Sequence, residues 1–583
     1  MFATVFVFAV ENAVARIVCE GTFDSIPAIT FTAALHPGWN AGNTMDAIPD
    51  ETAWGNPPLV NSTFAHVKNA GFNGVRLPVT WTHHMTGETP WTVDNQWLQR
   101  VSNVVDMITS NGLSVVINAH HDSWASFDLA SPNANYTRYE EQFYRLWYQV
   151  GENLACKSSM VAFEPLNEPS GNTKKHAEEL NKLHAIFLQA INDAGGFNSD
   201  RVVVLGGLGD NAVNLIQWLE IPENITNPYA LTFHYYSPWD FTASAWGKTI
   251  WGSDADKAAL EADFEAVRGN SSSSPIIVGE FGMEVRPSEP GARWKWFDHV
   301  VRTGHKNMFA MMLWDTSIHF VAGSPNPWED PTALDILMNA SQGVPNTLAD
   351  STEDGAASEQ WSSATIFHRG GERGEPVADQ SLPFIWNGNT LFSIESTVAN
   401  APRLLVLDED YVLNDPNITF KDRYLSTLFQ QFGPPGIKAN LTLHFSSGAA
   451  LQLPAIQWDT PQAGFTDFIV TPENVKTDLP IPFEYKGLDK LATVKARLYN
   501  STYLIDEWTQ WLGPLQQGRL TYQSHWDFNA SHVMVKSSVL QAVLAAHGAA
   551  VLTFEFYPRM RANSVNFTLD VERPPPPPAF LAV

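Results

Sequence analysis

Cysteine is nearly absent: the 583 residues hold two, Cys19 and Cys156. That excludes a disulfide framework and a thiolate metal site, and leaves one bridge that the sequence does not decide. Positive charge is scarce. Lys plus Arg number 35 against 62 Asp plus Glu, a formal net charge of −27. Such a surface repels phosphate backbones, so nucleic acid is not an expected partner. Long apolar runs are missing as well. Phe2 to Val10 is too short to span a bilayer and nothing else approaches that length, so no membrane partner is expected. Residues 1–20 lack a basic start, while Ala13-Val14-Ala15 resembles a small-residue cleavage site; they read as a leader peptide or a misassigned start. No phosphate-binding glycine loop is present in the right context. Gly206-Gly207-Leu208-Gly209 lacks the third glycine spacing and reads as a loop.

Aromatic residues are abundant, with 21 Trp, 34 Phe and 14 Tyr. They suit both large cores and the stacking of flat ligands, sugars among them. An apolar fraction of 44 % with 17 % charged residues is that of a globular chain. At roughly 100–200 residues per domain, two to four domains are expected. Ten N-x-S/T sequons, from Asn61 to Asn566, point to a glycosylated, secreted protein, expected as a monomer.

Between residues 38 and 316 one unit recurs: a short Val/Ile/Phe-rich run ending in polar or aromatic residues, often followed by helix-like periodicity. Eight runs fit, among them GFNGVRLPVTW, LSVVINAHHD, MVAFEPLNEP, YALTFHYYSP and PIIVGEFG. Near-continuous hydrophobicity marks strands buried on both faces. In LQRVSNVVDMITSNG, Leu98, Val101, Val104, Val105 and Ile108 form one helix face, and Asn111-Gly112 is the stop. The fold class expected is α/β, a (β/α)8 TIM barrel, in which the site lies at the C-terminal strand ends. Asn43, Arg76, His120, His121, Asn167, Glu168, His234, Tyr236, Glu280 and Trp314 fall at those ends. A doubly wound open sheet is the competing architecture and does not explain polar groups at strand ends across the whole region.

Glu168 in LNEP and Glu280 in VGEFG close buried strands four and seven, which face one another across a barrel mouth. Two carboxylates there can cleave a glycosidic bond. One protonates the leaving oxygen, and the other attacks the anomeric carbon at a separation of about 5–5.5 Å, or activates water across a wider gap. A pair of structural ion pairs is the bland alternative. Glu164 in FEPLNEP is expected on the same face, on the order of 13 Å deeper, in a structural role. His120 and His121 are neighbours on a strand and are expected to face apart, which argues against a metal site. Trp54, Trp81, Trp124, Trp239 and Trp246 are candidates for a sugar cleft or for packing, His83 and His84 for rim or loop, and Glu284 for a solvated loop cap.

These segments resemble family 5 of the glycoside hydrolases. GWNAGNTMDA, TAWGNP, AGFNGVRLPVTWTHHM, INAHHDSW, FEPLNEP, HYYSPWDFT, VGEFG and LWD come in the family's order over residues 30–350. The first two look most like its endo-β-1,4-glucanase branch. The resemblance implies a retaining mechanism, with Glu168 as acid/base and Glu280 as nucleophile. It implies Asn167 on the sugar 2-hydroxyl, Arg76 and Tyr236 on Glu280, and His234 near Glu168. His120, His121 and Asn43 would bind hydroxyls, and Trp314 would floor the subsite. No cofactor or metal is implied. An endo-β-mannanase or xyloglucan-specific enzyme shares this machinery; a non-catalytic glycan-binding protein is the alternative of another class.

The barrel is expected over 21–350. Residues 351–380 are rich in Gly, Ser, Asp and Glu and read as a linker. Short alternating strands over 381–461 suggest a β-sandwich resembling an immunoglobulin-like module. A second strand-rich stretch, 462–572, resembles family 46 carbohydrate-binding modules, with Trp508 and Trp511 as candidate binding residues against a packing role. The proline tail at 573–583 reads as an extended terminus.

Overall fold

The computed structural model describes residues 17–324 and 326–571; the proposed leader up to residue 16 and the proline tail lie outside it. Two compact units are formed. The first is the chain up to Tyr235 with Glu265–Phe281 and Asn307–Gly323; the second is Tyr236–Phe264, Gly282–Lys306 and the chain from Ser324 onward.

The first unit contains the expected closed parallel barrel. Its strands are β1 (Gly38–Asn40), β2 (Gly74–Leu77), β3 (Ser114–Asn118), β4 (Val161–Glu164), β5 (Val203–Gly206), β6 (Tyr229–Tyr235), β7 (Ile276–Phe281) and β8 (Phe309–Leu313), paired in sequence order with β8 closing on β1. Small apolar side chains such as Ala162, Ala230 and Ala310 fill the barrel interior against Phe31 and Leu35, from the helix Ala28–Leu35. Burying each of these two large side chains is worth about 1.5–3 kcal/mol. Gly74 has no side chain because a Cβ there would lie 2.6 Å from Leu35. The helix predicted from LQRVSNVVDMITSNG runs Asn95–Ser110; Asp94 caps its start, and Gly112 turns out of it at φ 72°.

Residues 17–20 belong to this folded unit. Cys19 is disulfide-bonded to Cys156, and Gly196 N–H donates to the Ile17 carbonyl at 2.9 Å. A leader boundary at residue 20 is therefore too late. Among the described residues, no helix is long and apolar enough to cross a membrane.

Among the described residues, the second unit holds four sheets. A five-stranded and a four-stranded sheet are built from strands between Leu348 and Trp458, and two four-stranded sheets from strands between Gln462 and Val571. The last pair encloses a core around Ile481, Val494, Trp526, Leu552 and Phe567. The expected linker, 351–380, is not a free connector. Ile366–Arg369 pairs in parallel with Leu451–Trp458, and Gln360 is buried, its amide bonded to both Thr249 Oγ1 and the Thr249 carbonyl. Composition misled because these polar side chains are satisfied by distant partners rather than by water. The expected boundary at 350 also fails. Helix Pro290–Lys306 is bonded to residues beyond 350, Lys295 Nζ donating to the Ser351 carbonyl at 3.2 Å and to Glu353 at 3.1 Å.

Candidate active site

Arg76, on β2, is fully buried and organises the barrel mouth. Its Nη1 donates to Glu280 Oε1 at 2.7 Å and to Asn40 Oδ1 at 3.0 Å. Nη2 donates to Glu164 Oε1 at 2.7 Å and to Asn167 Oδ1 at 2.6 Å, while Nε donates to Glu164 Oε2 at 2.9 Å. Burial lowers the guanidinium pKa, but the charges of Glu164 and Glu280 outweigh it and raise it above its ordinary value. Glu164 is held below its ordinary range: burial opposes ionisation, and Arg76 with Asn118 outweighs it.

Glu164 thus has the structural role expected of it, though not at the expected depth. It shares one guanidinium with Glu280. The register argument fails because β4 ends at Glu164, and the chain after it is no longer strand. Glu168 sits in the left-handed region at φ 42°. Its side chain is 45 % exposed, so its carboxyl reaches solvent where Glu164 cannot.

His234 on β6 joins the two candidate carboxylates. Nδ1 lies 2.8 Å from Glu168 Oε1 and 3.5 Å from Glu280 Oε2, and one oxygen of each glutamate lies within 4.8 Å of the other. Burial would lower the imidazole pKa, but Glu280, Asp210 and Glu168 raise it to about 9. The Glu168 pKa is lowered: burial pushes it up, and the hydrogen bond and charge of His234 more than reverse that. The pair therefore shares one proton, resting on the imidazole.

His120 and His121 do not face apart. β3 stops at Asn118, and beyond it the two rings are 4.6 Å apart. His120 stacks parallel to Trp314 at 5.5 Å and is kept neutral by burial and by Arg76. His121 Nε2 lies 3.3 Å from Asp46 Oδ2. Asp46, His120 and His121 are close enough to share a cation, as are Glu168, His234 and Glu280, so the sequence argument against a metal does not stand on strand geometry. Asp46 already accepts the backbone N–H groups of Asn43 and Thr44, and Asn118 is bonded to His120 Nδ1. Asn43 takes the left-handed φ of 55° at this turn. Trp314 follows β8 with its N–H on the Phe281 carbonyl, and the next residue, Asp315, accepts from Trp39 Nε1 and four successive backbone N–H groups. Tyr236 directly follows β6 and belongs to the second unit, where its carbonyl accepts from Thr242 Oγ1 at 2.6 Å.

Sequence reading passed over Asn40, Asp46, Asn118 and Asp210. Asn40 and Asn118 each cap a strand in the quoted segments GWN and VVIN, which was the available signal. Trp81 is fully buried with Nε1 on the Asn118 carbonyl, so its role is packing. His84 stacks on Trp97 at 3.7 Å. Trp54, Trp124 and Trp239 are exposed. Glu284 is not a solvated cap: burial pushes it to about 7, and it accepts from Gln523 at 3.0 Å. Within the second unit, Trp246 packs edge-on against Trp239 and Trp508, its Nε1 donating to Asp506 at 2.9 Å.

Two carboxylates across one imidazole, at the C-terminal strand ends of a parallel barrel, are the equipment for cleaving a glycosidic bond, and they place the chain among the barrel glycoside hydrolases. The family described as cellulase (glycosyl hydrolase family 5) matches residues 38–319, and carbohydrate binding domain X2 matches residues 360–454. Endoglucanase B of Paenibacillus lautus is 27 % identical over 490 residues, 81 % of this chain and 81 % of that protein. Endoglucanase B of Clostridium cellulovorans is 31 % identical over 301 residues, 49 % of this chain and 67 % of that protein. A crystal structure of a tri-modular family 5, subfamily 4, endo-β-1,4-glucanase from Bacillus licheniformis, complexed with cellotetraose, superposes with a TM-score of 0.83 at 30 % identity, covering 94 % of this chain and all of that one. The chain belongs to glycosyl hydrolase family 5.

Proposed function

We propose that Glu280 is the nucleophile and Glu168 the acid/base of a double displacement on β-1,4-linked glucan. The protein is a retaining endo-β-1,4-glucanase. The observation that carries this is the approach of the two carboxylates to within 4.8 Å, the separation of direct attack rather than of an intervening water.

Arg76 holds Glu280 Oε1 and keeps the carboxylate charged, and that carboxylate attacks the anomeric carbon. The imidazolium of His234 passes its proton to Glu168, 2.8 Å away, and Glu168 delivers it to the leaving oxygen. The glycosyl-enzyme then loses its sugar to water activated by the same Glu168. Asn167 spends its carbonyl oxygen on Arg76, so its amide nitrogen is oriented to donate to the 2-hydroxyl. Trp314 floors that subsite, and His120, His121 and Asn43 bind sugar hydroxyls.

The strands over 381–461 form an immunoglobulin-like module and 462–571 a module like the family 46 carbohydrate-binding type. Trp511, 83 % exposed, and Trp508, 44 % exposed, give the latter a stacking surface. The Cys19–Cys156 bridge and the sequons support a secreted, glycosylated protein. The test is a hydrolysis panel of mixed-linkage β-glucan, carboxymethylcellulose, xyloglucan and mannan, with the product anomer followed by NMR. Retained β-anomer from β-1,4-glucan is expected. Activity confined to mannan or xyloglucan replaces the substrate, and inversion refutes the mechanism.

A further inference from the structure

One buried carboxylate at the barrel mouth has no task in the scheme above. Asp210 follows β5 in the short turn Leu208–Asp210, and its side chain is fully buried. Oδ2 accepts the backbone N–H of Glu168 at 2.7 Å and lies 3.6 Å from Nε2 of His234, whose other nitrogen meets Glu168. Oδ1 has no hydrogen-bond partner among the described residues. Both ends of the Asp210–Glu168 contact are in left-handed backbone, Asp210 at φ 43° and Glu168 at φ 42°. That conformation is costly for residues with a side chain and persists where surrounding contacts impose it. A second tie joins the same turns, Gly209 N–H donating to the Pro169 carbonyl at 2.7 Å. β5 makes room for the carboxyl with Gly206, where a Cβ would lie 2.0 Å from Oδ1.

We propose that Asp210 is a positioning residue for the acid/base: through the backbone it fixes the turn that aims Glu168, and through its charge it holds the proton shared by His234 and Glu168. The inference rests on the acid/base assignment of Glu168. Four charged groups face Asp210, namely His234, Glu168, Glu164 and Arg76, and Glu280 acts on the same imidazole. Burial pushes the Asp210 carboxyl up to about 7, with Glu164 and Glu168 adding to this and His234 opposing it. On the alkaline side of that value it is a full negative charge beside the imidazolium. A negative neighbour raises the proton affinity of the His234–Glu168 pair, so removing it must lower the pH at which the pair loses its proton.

The experiment compares the wild type, D210N, D210A and E168A. For each, kcat/KM is measured against pH on β-glucan, whose leaving group needs protonation, and on a dinitrophenyl cellobioside, whose leaving group does not. Thermal melts check folding. D210N keeps an oxygen to accept the Glu168 N–H but loses the charge. Its alkaline limb on β-glucan should move down by about one pH unit. D210A loses the acceptor too, and its kcat/KM on β-glucan should fall about 100-fold while the aryl glycoside suffers far less. A D210N profile superimposed on the wild type overturns the proposal, and so does a D210A loss equal on both substrates. If D210A does not fold, the D210N profile decides. An E168A loss equal on both substrates strikes the acid/base assignment instead, which separates the two failures.

Discussion

The barrel mouth of the first unit and the tryptophan cluster of the second use opposite physics. At the mouth, Arg76 makes five hydrogen bonds to four side chains that come from three strand ends, those of β1, β4 and β7, all removed from water. In the second unit, Trp239, Trp508 and Trp511 expose large ring areas, and Trp246 meets Trp239 and Trp508 edge-on while donating its indole N–H to Asp506. Charge must be fixed and desolvated to act on a developing transition state. A flat face that stacks on sugar needs exposure and tolerates substitution by another ring. The mouth should therefore fail abruptly on mutation and the cluster gradually.

The sharpest break is at Glu280. E280Q should lower kcat on β-glucan on the order of 10⁴-fold or more, with an unchanged melting curve; near-normal turnover removes Glu280 from the nucleophile role. Next is Glu164, which touches no substrate in this scheme. E164A leaves Arg76 buried beside an empty place, at a cost of about 3–5 kcal/mol in urea unfolding. Because Glu164 is depressed in the folded state, its contribution is complete above its unfolded pKa of 4.5 and is lost as pH falls through the lower folded value. Wild-type stability should thus decline on acidification below pH 4.5 more steeply than that of E164Q. Parallel declines would show that the pair does not store this energy.

A change remote from both regions calibrates them. C19S opens the bridge across 137 residues and should cost about 2–4 kcal/mol of stability without altering kcat at 25 °C. The smallest effects belong to the cluster. W508A and W511A should each raise KM on polymeric β-glucan about three- to tenfold and leave cellotetraose hydrolysis unchanged, with Phe or Tyr at the same positions restoring most of the loss. Equal effects on polymer and oligosaccharide would end the stacking role.

Much of the mouth was legible because a buried parallel strand is apolar until it ends. The first polar residue after such a run, as in VAFEPLNEP or VGEF, is already at the site. What was misread lies just past the strand ends. Strand alternation was carried beyond Asn118 and Glu164, which put His120 and His121 on opposite faces and Glu164 too far down. Asp210 was hidden in a sequence taken as a glycine loop, and the left-handed turn that brings it to Glu168 has no signature in hydrophobic periodicity. The stretch 351–380 looked like a linker because it is rich in Gly, Ser, Asp and Glu, yet its Gln360 finds Thr249 at a separation of 111 residues.

The sequence by itself determined the eight-strand barrel and the placing of Glu168 and Glu280 at its mouth, since both follow from local periodicity and from where it breaks. The tertiary structure alone decided which charges meet. Arg76 reaches Glu280 across 204 residues and Glu164 across 88, and Asp210 reaches Glu168 across 42. Hydrogen-bond geometry and desolvation select these partners after the strands have closed, and neither is written in any stretch short enough to read alone.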